Sequence, residues 1–159
     1  MSGERDGGKA AIAAEAWDAL LTLTKVQRGR MFSVLQEFGL TPGDLRALSA
    51  LDREAPRKMR ALARAWGCDA SNVTWMVDRL ERRGLVERRL VPSDRRVKTV
   101  ALTPLGASTK AELLARLNEP PADFLALDRA SLEALRDALA RLPPSLRSSR
   151  RDGVGPRLP

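Results

Sequence analysis

The segment that decides the fold is GCDASNVTWMVDRLERRGLVERRLVPSDRRVKTVAL, residues 67–102. In its first half, apolar residues recur every three or four positions, which is typical of a helix with one buried face. From Leu85 onward, apolar residues alternate with polar ones, which is typical of strands. We therefore predict a helix that is closed by Gly84 and followed by a β-hairpin over residues 85–102.

A shorter helix is predicted just before this segment. Four apolar residues between Met59 and Trp66 share one helical face, and Gly67 is suited to end that helix. Asp69 is placed to cap the next helix. The predicted buried stripe of that next helix consists of Val73, Met76, Val77 and Leu80. Two short helices joined by so tight a turn have the spacing of a helix-turn-helix, and a basic hairpin directly after them is a wing.

The polar side of the second helix carries the candidate base-reading residues. A helix in the major groove needs hydroxyls, amides and arginine to reach base edges and phosphates, and apolar atoms to meet thymine methyl groups. The alternatives are the solvated face of an ordinary surface helix and, for Trp75, burial beneath another helix. Because the turn and the hairpin flank this helix, we favour DNA contact. The predicted contacts on this helix are Ser71, Asn72, Thr74, Trp75 and Arg79.

The hairpin adds positive charge beside that helix. Eight basic and three acidic residues lie between Arg79 and Lys98, a balance that matches a surface following DNA phosphates, although a solvated charged turn is the alternative. We expect Arg95 and Arg96 to enter a narrow minor groove, with Asp94 holding one of them in place. The other residues of the predicted DNA-binding set are Lys98, Arg57 and Lys58.

Long helices are predicted on both sides of this region. Apolar residues recur at helical spacing from Trp17 to Phe38, and Gly39 is suited to end that helix. They recur again from the Thr103-Pro104 start signal to Pro143. No element remains to cover these stripes in a single copy, so pairing with a second copy is expected. The predicted fold is mainly α, a winged helix-turn-helix with a small β-hairpin wing flanked by long dimerisation helices. Its parts are an N-terminal dimerisation helix at 10–40, the DNA-binding domain at 41–103, C-terminal dimerisation helices at 104–142 and a disordered basic tail at 145–159.

Composition narrows the function classes. The chain has 28 Lys and Arg against 20 Asp and Glu, a net charge of +8, which suits a polyanionic partner such as nucleic acid or a membrane surface. The absence of His and Tyr removes common general acids and bases, and one Cys without His argues against structural zinc. We expect no catalytic residue, metal or cofactor. No apolar run reaches membrane-span length and no secretion signal is evident, so we expect a cytoplasmic protein without a membrane partner.

Four segments resemble the winged-helix core of MarR-type regulators. They are GCDASNVT (67–74), VDRLERRGLV (77–86), DRR (94–96) and LTPLG (102–106). The resemblance covers about residues 40–106. It implies a homodimer, usually a repressor, which leaves a pseudo-palindromic operator when a small, often aromatic, ligand binds between the dimerisation and DNA-binding parts.

The sequence also departs from the pattern of that family. Val91 stands where many relatives carry an acid before the wing proline, and Trp75 occupies a position that is more often polar or small. Family members that sense peroxide use a Cys in the first helix with nearby Tyr, whereas here the lone Cys68 lies in the helix-turn-helix. Oxidant sensing by that route is therefore not expected, and a buried structural role for Cys68 is favoured over an unusual sensor.

The small aromatic effector is the least defined partner. Candidate effector-binding residues are Trp17, Phe32, Phe38 and Trp66, for which ordinary core packing is the alternative. The expected function is a sequence-specific DNA-binding transcriptional regulator. A non-specific DNA-architectural protein and a protein-interaction module that uses a winged helix without DNA are the other two classes.

Overall fold

The computed structural model describes residues 2–91 and 94–147, and the side chains of residues 2–6, 91, 94–97, 145 and 147 lie outside that description. The chain divides into two compact units, Met1–Thr41 and Pro42–Pro159. Within the described ranges, no helix combines the length and the apolar character that a membrane crossing requires.

The first unit is one long helix, α1 (Ser2–Glu37). It begins earlier than the apolar stripe suggests, because nothing in the polar residues before position 10 is a proline that would stop it. It ends as predicted at Gly39, which takes the left-handed conformation at φ 60°. The Leu40 N–H donates to the Leu35 carbonyl at 2.8 Å and the Gly39 N–H to the Gln36 carbonyl at 2.9 Å, a Schellman end.

The second unit begins with three helices, α2 (Pro42–Ala50), α3 (Met59–Trp66) and α4 (Ala70–Arg82). The predicted stripe of α4 is confirmed, since Val73, Met76, Val77 and Leu80 are all buried. Gly67 ends α3 at φ 61°, and the turn 67–69 leads directly into α4. The helix-turn-helix predicted from the glycine and the two stripes is therefore present. Asp69 stands at the N-cap of α4, but its side chain makes no capping hydrogen bond.

The wing is part of a three-stranded antiparallel sheet in the order β1-β3-β2, made of β1 (Arg57–Lys58), β2 (Val86–Val91) and β3 (Asp94–Leu102). The predicted hairpin is confirmed, with Val86 opposite Leu102 and Leu90 opposite Lys98. Strand β1 is not among the elements predicted from the sequence. It pairs Lys58 with Thr99, and its two exposed residues offer no alternation from which a strand is predicted.

Four helices follow: α5 (Pro104–Asn118), α6 (Ala122–Leu125), α7 (Arg129–Ala140) and α8 (Pro144–Arg147). Thr103 caps α5 as predicted, because its Oγ1 accepts from the Gly106 N–H at 3.0 Å. Asp128 caps α7 and accepts from the Ser131 N–H at 2.8 Å. Helix α8 lies where the tail was expected to begin, and residues 148–159 lie outside the described part of the chain.

The start of α5 lies very close to the end of the helix-turn-helix. The Thr103 hydroxyl also donates to the Gly84 carbonyl at 2.5 Å, and the Thr103 N–H donates to the Leu85 carbonyl at 3.1 Å. A Cβ atom built on Gly106 would overlap the Leu85 carbonyl oxygen. Only glycine therefore allows α5 to begin at this distance from the α4–β2 junction.

Candidate nucleic-acid interface

The outer face of α4 presents four of the predicted contacts to solvent: Ser71, Asn72, Thr74 and Trp75 are all exposed. The Thr74 hydroxyl donates to the Ala70 carbonyl at 2.9 Å, which leaves its oxygen able to accept a hydrogen bond from outside. Trp75 is 56% exposed, so burial beneath another helix of this chain, the alternative for this residue, is not observed. This face has the mixture of hydroxyl, amide and apolar groups that base-edge contact requires.

Arg79, the fifth predicted contact on α4, is engaged within the protein, and its contacts include Asp44 and Trp75. Its Nη2 donates to Oδ1 of Asp44 on α2, whose side chain is 2% exposed. Its guanidinium carbon lies 4.7 Å from the centroid of the Trp75 ring. About a quarter of the Arg79 side chain (26%) remains accessible. Its predicted contact with DNA stays a prediction, and the ion pair with Asp44 is a feature that sequence periodicity does not indicate.

A second ion-pair group joins the wing to α4. Arg88 on β2 donates through Nη2 to Oδ1 of Asp78 at 2.5 Å and through Nη1 to Glu81, and its backbone N–H donates to Glu81 at 3.2 Å. Partial burial lowers the pKa of Arg88, but the two carboxylates outweigh it and raise that pKa above its ordinary value. Sequence reasoning did not single out Arg88. The sequence signal for such a partner is the pair Asp78 and Glu81, which are three residues apart and lie on one side of α4.

A groove of about 750 Å³ lies between α3, α4 and the sheet. Its lining includes the apolar residues Met59, Ala63, Ala70 and Val73 and the ion-paired side chains of Asp78 and Arg88. Exposed cations stand around it. They are Arg60, Arg64 and Lys98, with Lys58 close by through the pairing of β1 with β3. The cationic side chains and the outer face of α4 thus belong to neighbouring parts of one unit.

Several predicted site residues are not brought into this surface by any described contact. Arg57 is exposed and donates to the Ala50 carbonyl at 3.4 Å. The backbones of Asp94, Arg95 and Arg96 belong to β3, but their side chains lie outside the described part of the structure, so their roles stay predictions.

The candidate effector residues differ in exposure. Trp17 and Phe32 are exposed on α1, and Phe38 is half-buried. Trp66 is buried, and its Nε1 has no hydrogen-bond partner among the described residues. The role of all four in binding an effector stays a prediction. Among the described residues, no group of three or more His, Cys, Asp or Glu side chains is arranged to hold a metal ion.

Comparison with known proteins shows which family this sequence is similar to. Residues 38–97 match the model of the MarR family. The chain is 38% identical over 91 residues to the HTH-type transcriptional regulator YcgE of Bacillus subtilis (strain 168). That match covers 56% of this chain and 58% of the relative, so the chain spans less than two-thirds of that relative's length.

Two solved structures extend the likeness over most of the chain. The YusO protein from Bacillus subtilis superposes with a TM-score of 0.74 at 26% identity, over 87% of this chain and 96% of that one. CouR from Rhodococcus jostii RHA1, solved bound to p-coumaroyl-CoA, is 31% identical with a TM-score of 0.53, over 76% of this chain and 86% of that one.

These likenesses agree with the residues on which the fold depends. The family model spans α2, α3, α4 and β2, the segment in which the predicted stripes, turn and hairpin are confirmed. The family and the named relative are transcriptional regulators and not enzymes, in accord with the expectation of no catalytic role. Residues 38–97 are a winged-helix segment of the MarR family of transcriptional regulators.

Proposed function

We propose that this protein binds double-stranded DNA sequence-specifically in the cytoplasm and represses transcription as a homodimer. The observation that carries the proposal is the exposed face of α4, where Ser71, Asn72, Thr74 and Trp75 stand beside a cationic groove. A polar helix face with an adjacent cationic surface combines the two requirements of recognition, which are base-edge contact and phosphate contact.

Each group on α4 has a definite task in this proposal. The Asn72 amide pairs with an adenine edge, the Ser71 and Thr74 hydroxyls bond to base edges or phosphate, and Trp75 supplies apolar contact to a thymine methyl group or a sugar. Lys58 on β1 and Lys98 on β3 neutralise phosphates. The wing residues Arg95 and Arg96 reach the minor groove.

Dimerisation is supported by apolar side chains that a single copy leaves in water. Six such residues lie on α1: Ile12, Trp17, Leu21, Leu23, Val26 and Phe32. Leu125, Leu127, Leu139, Leu142 and Leu146 are similarly exposed in the part of the chain after α5. A second copy packed on these helices would remove such side chains from water. A two-fold dimer would place two copies of α4 in successive major grooves, about 10 bp apart.

Release by a small ligand is supported by one relative and by the groove, which is lined by none of the four residues predicted from the sequence to bind an effector. CouR was solved with p-coumaroyl-CoA, a ligand that joins an aromatic acyl group to an anionic nucleotide. The groove of this chain is lined by apolar side chains and by the exposed cations Arg60, Arg64 and Lys98, a combination that suits an anion with an apolar body. A ligand held there would compete with DNA phosphates for the same cations. Titrating p-coumaroyl-CoA into the protein–duplex complex tests this, and dissociation at micromolar ligand is the supporting result.

The deciding experiment is selection of bound duplexes from a random pool by the full-length protein. Enrichment of a pseudo-palindrome with half-sites about 10 bp apart supports sequence-specific recognition by a dimer. Equal, salt-dependent binding to every duplex would instead indicate the architectural class, and no binding at low salt would indicate a protein-interaction module.

A further inference from the structure

We propose that Asp44 and Arg79 hold the indole of Trp75 in position for DNA contact. These three side chains, here called the relay, connect the buried start of α2 to the exposed face of α4. The inference rests on the proposed function, because it assigns the relay a task in DNA recognition. It makes Arg79 a positioning residue, which is a different role from the direct contact expected from the sequence.

The inner end of the relay is fixed by a buried charge. The Asp44 side chain is 2% exposed, and a carboxylate removed from water requires a charged or hydrogen-bonding partner. Arg79 supplies that partner through Nη2, and the two residues are 35 positions apart in the chain. Because Asp44 is buried in α2, its carboxylate restricts where the guanidinium can lie.

The middle of the relay is the contact between the guanidinium and the ring. Trp75 and Arg79 are four residues apart on α4 and therefore lie on the same side of the helix. The separation of 4.7 Å between the guanidinium carbon and the ring centroid is within the range of a cation–π contact, which extends to about 6 Å. The guanidinium thus covers part of the indole from the protein side.

The outer end of the relay is the accessible part of Trp75, more than half of the residue at 56%. An exposed side chain without an anchor samples several rotamers, and ordering it on binding weakens affinity by about 2- to 12-fold. A ring already held by Arg79 loses little further freedom when it meets DNA. The relay therefore favours the bound position of Trp75 before DNA arrives.

The first test concerns the free protein and needs no DNA. In full-length chain carrying Trp17→Phe, Trp66 is buried and Trp75 is the accessible indole, so acrylamide quenching reports on Trp75. Asp44→Asn and Arg79→Lys are each expected to increase quenching and to lower the fluorescence anisotropy of Trp75. Asp137→Asn, an equivalent change at an exposed acid on α7, is the matched control and should leave both unchanged.

The second test measures affinity for the duplex that wild-type protein enriches most from a random pool. Asp44→Asn and Arg79→Lys should each weaken binding by about 2- to 12-fold when Trp75 is present. In a Trp75→Ala background the same two changes should have almost no further effect, because the residue they position is gone. Arg79→Lys keeps the charge, so it separates loss of the planar contact from loss of a phosphate contact.

Three outcomes would overturn the inference. Unchanged quenching in both variants means that Trp75 needs no anchor. Equal losses of affinity with and without Trp75 mean that Arg79 contacts DNA directly or that the fold is disturbed, which thermal melts by circular dichroism distinguish. Normal affinity of both variants, while Trp75→Ala binds weakly, means that the relay has no part in recognition. A wild-type chain that enriches no duplex removes the proposed function, whereas the quenching comparison still decides whether Asp44 and Arg79 hold the ring.

Discussion

Replacement of Gly106 should disturb the fold, because a Cβ atom there would overlap a backbone oxygen and not a movable side chain. We expect Gly106→Ala to lower the free energy of unfolding by about 1–3 kcal/mol, the usual range for forced overpacking. Urea denaturation followed by circular dichroism measures this.

Gly29→Ala is the matched control. Gly29 lies within α1, and a Cβ atom there would meet nothing within 4 Å. Alanine is the better helix former by about 0.5–1 kcal/mol, so this change should raise stability slightly. Equal effects at the two glycines would contradict the packing described at the start of α5.

Asp128 gives a residue-scale prediction about pH. Hydrogen bonds from the backbone N–H and the hydroxyl of Ser131 lower the pKa of Asp128 below its ordinary value of 3.8. Its folded pKa is lower than its unfolded pKa, so its contribution to stability is complete above the unfolded value and is lost as pH falls through the folded one. We expect the stability difference between wild type and Asp128→Asn to shrink as pH is lowered below 3.8. A difference independent of pH in urea melts from pH 6 to 2 would show that the carboxylate is not the group involved.

The side chain of Arg88 joins strand β2 to helix α4 through ion pairs. Arg88→Ala leaves Asp78 and Glu81 without this partner, and we expect a loss of about 1.5–3 kcal/mol in stability, typical of hydrogen bonds to charged groups. Arg129→Ala on α7 is the control, because its pair with Glu133 is largely exposed and worth about 0–1 kcal/mol. Chemical denaturation measures the free energy of unfolding of both variants. Equal losses in the two would contradict the assignment of Arg88 as the residue that joins the wing to α4.

The helix and the sheet should contribute differently to DNA binding. We expect Asn72→Ala on α4 to cost about 1–3 kcal/mol at one base position and to relax preference there. Lys98→Ala on β3 should weaken binding similarly for all sequences. It should also lower by about one the number of phosphate contacts that the slope of affinity against salt concentration reports. Fluorescence anisotropy titrations at several salt concentrations, with operator and scrambled duplexes, separate the two effects. A sequence-dependent loss in Lys98→Ala would contradict this division.

Local patterns predicted the elements better than the contacts between them. The stripe of α4, the glycine at the end of α1 and the Thr103 cap all depend on residues within a turn or two of one another, and each is confirmed. The pairing of Asp44 with Arg79 joins residues 35 positions apart, and no periodicity indicates it. Strand β1 is equally hidden, because two exposed residues become a strand only when β3 lies beside them.

The proposed dimer can be tested at the exposed apolar residues of α1 and α7. Ile12→Glu on α1 and Leu139→Glu on α7 place charges at exposed apolar positions, and together they should shift the protein toward the monomer. Analytical ultracentrifugation measures the mass. Gln36→Glu, at an exposed polar position of α1, is the control and should leave it unchanged. A double variant that keeps the wild-type mass would place the interface elsewhere.

The hydrogen bonds of Thr103 affect how the parts of such a dimer would move. The Thr103 hydroxyl donates to the Gly84 carbonyl, just after α4, and accepts from the Gly106 N–H in the first turn of α5. Because these bonds and the close approach at Gly106 join the two segments, we expect α4 and α5 to move together. A tilt of α5 against its counterpart would then change the spacing between the two copies of α4, and a dimer tilted in this way would no longer match half-sites about 10 bp apart.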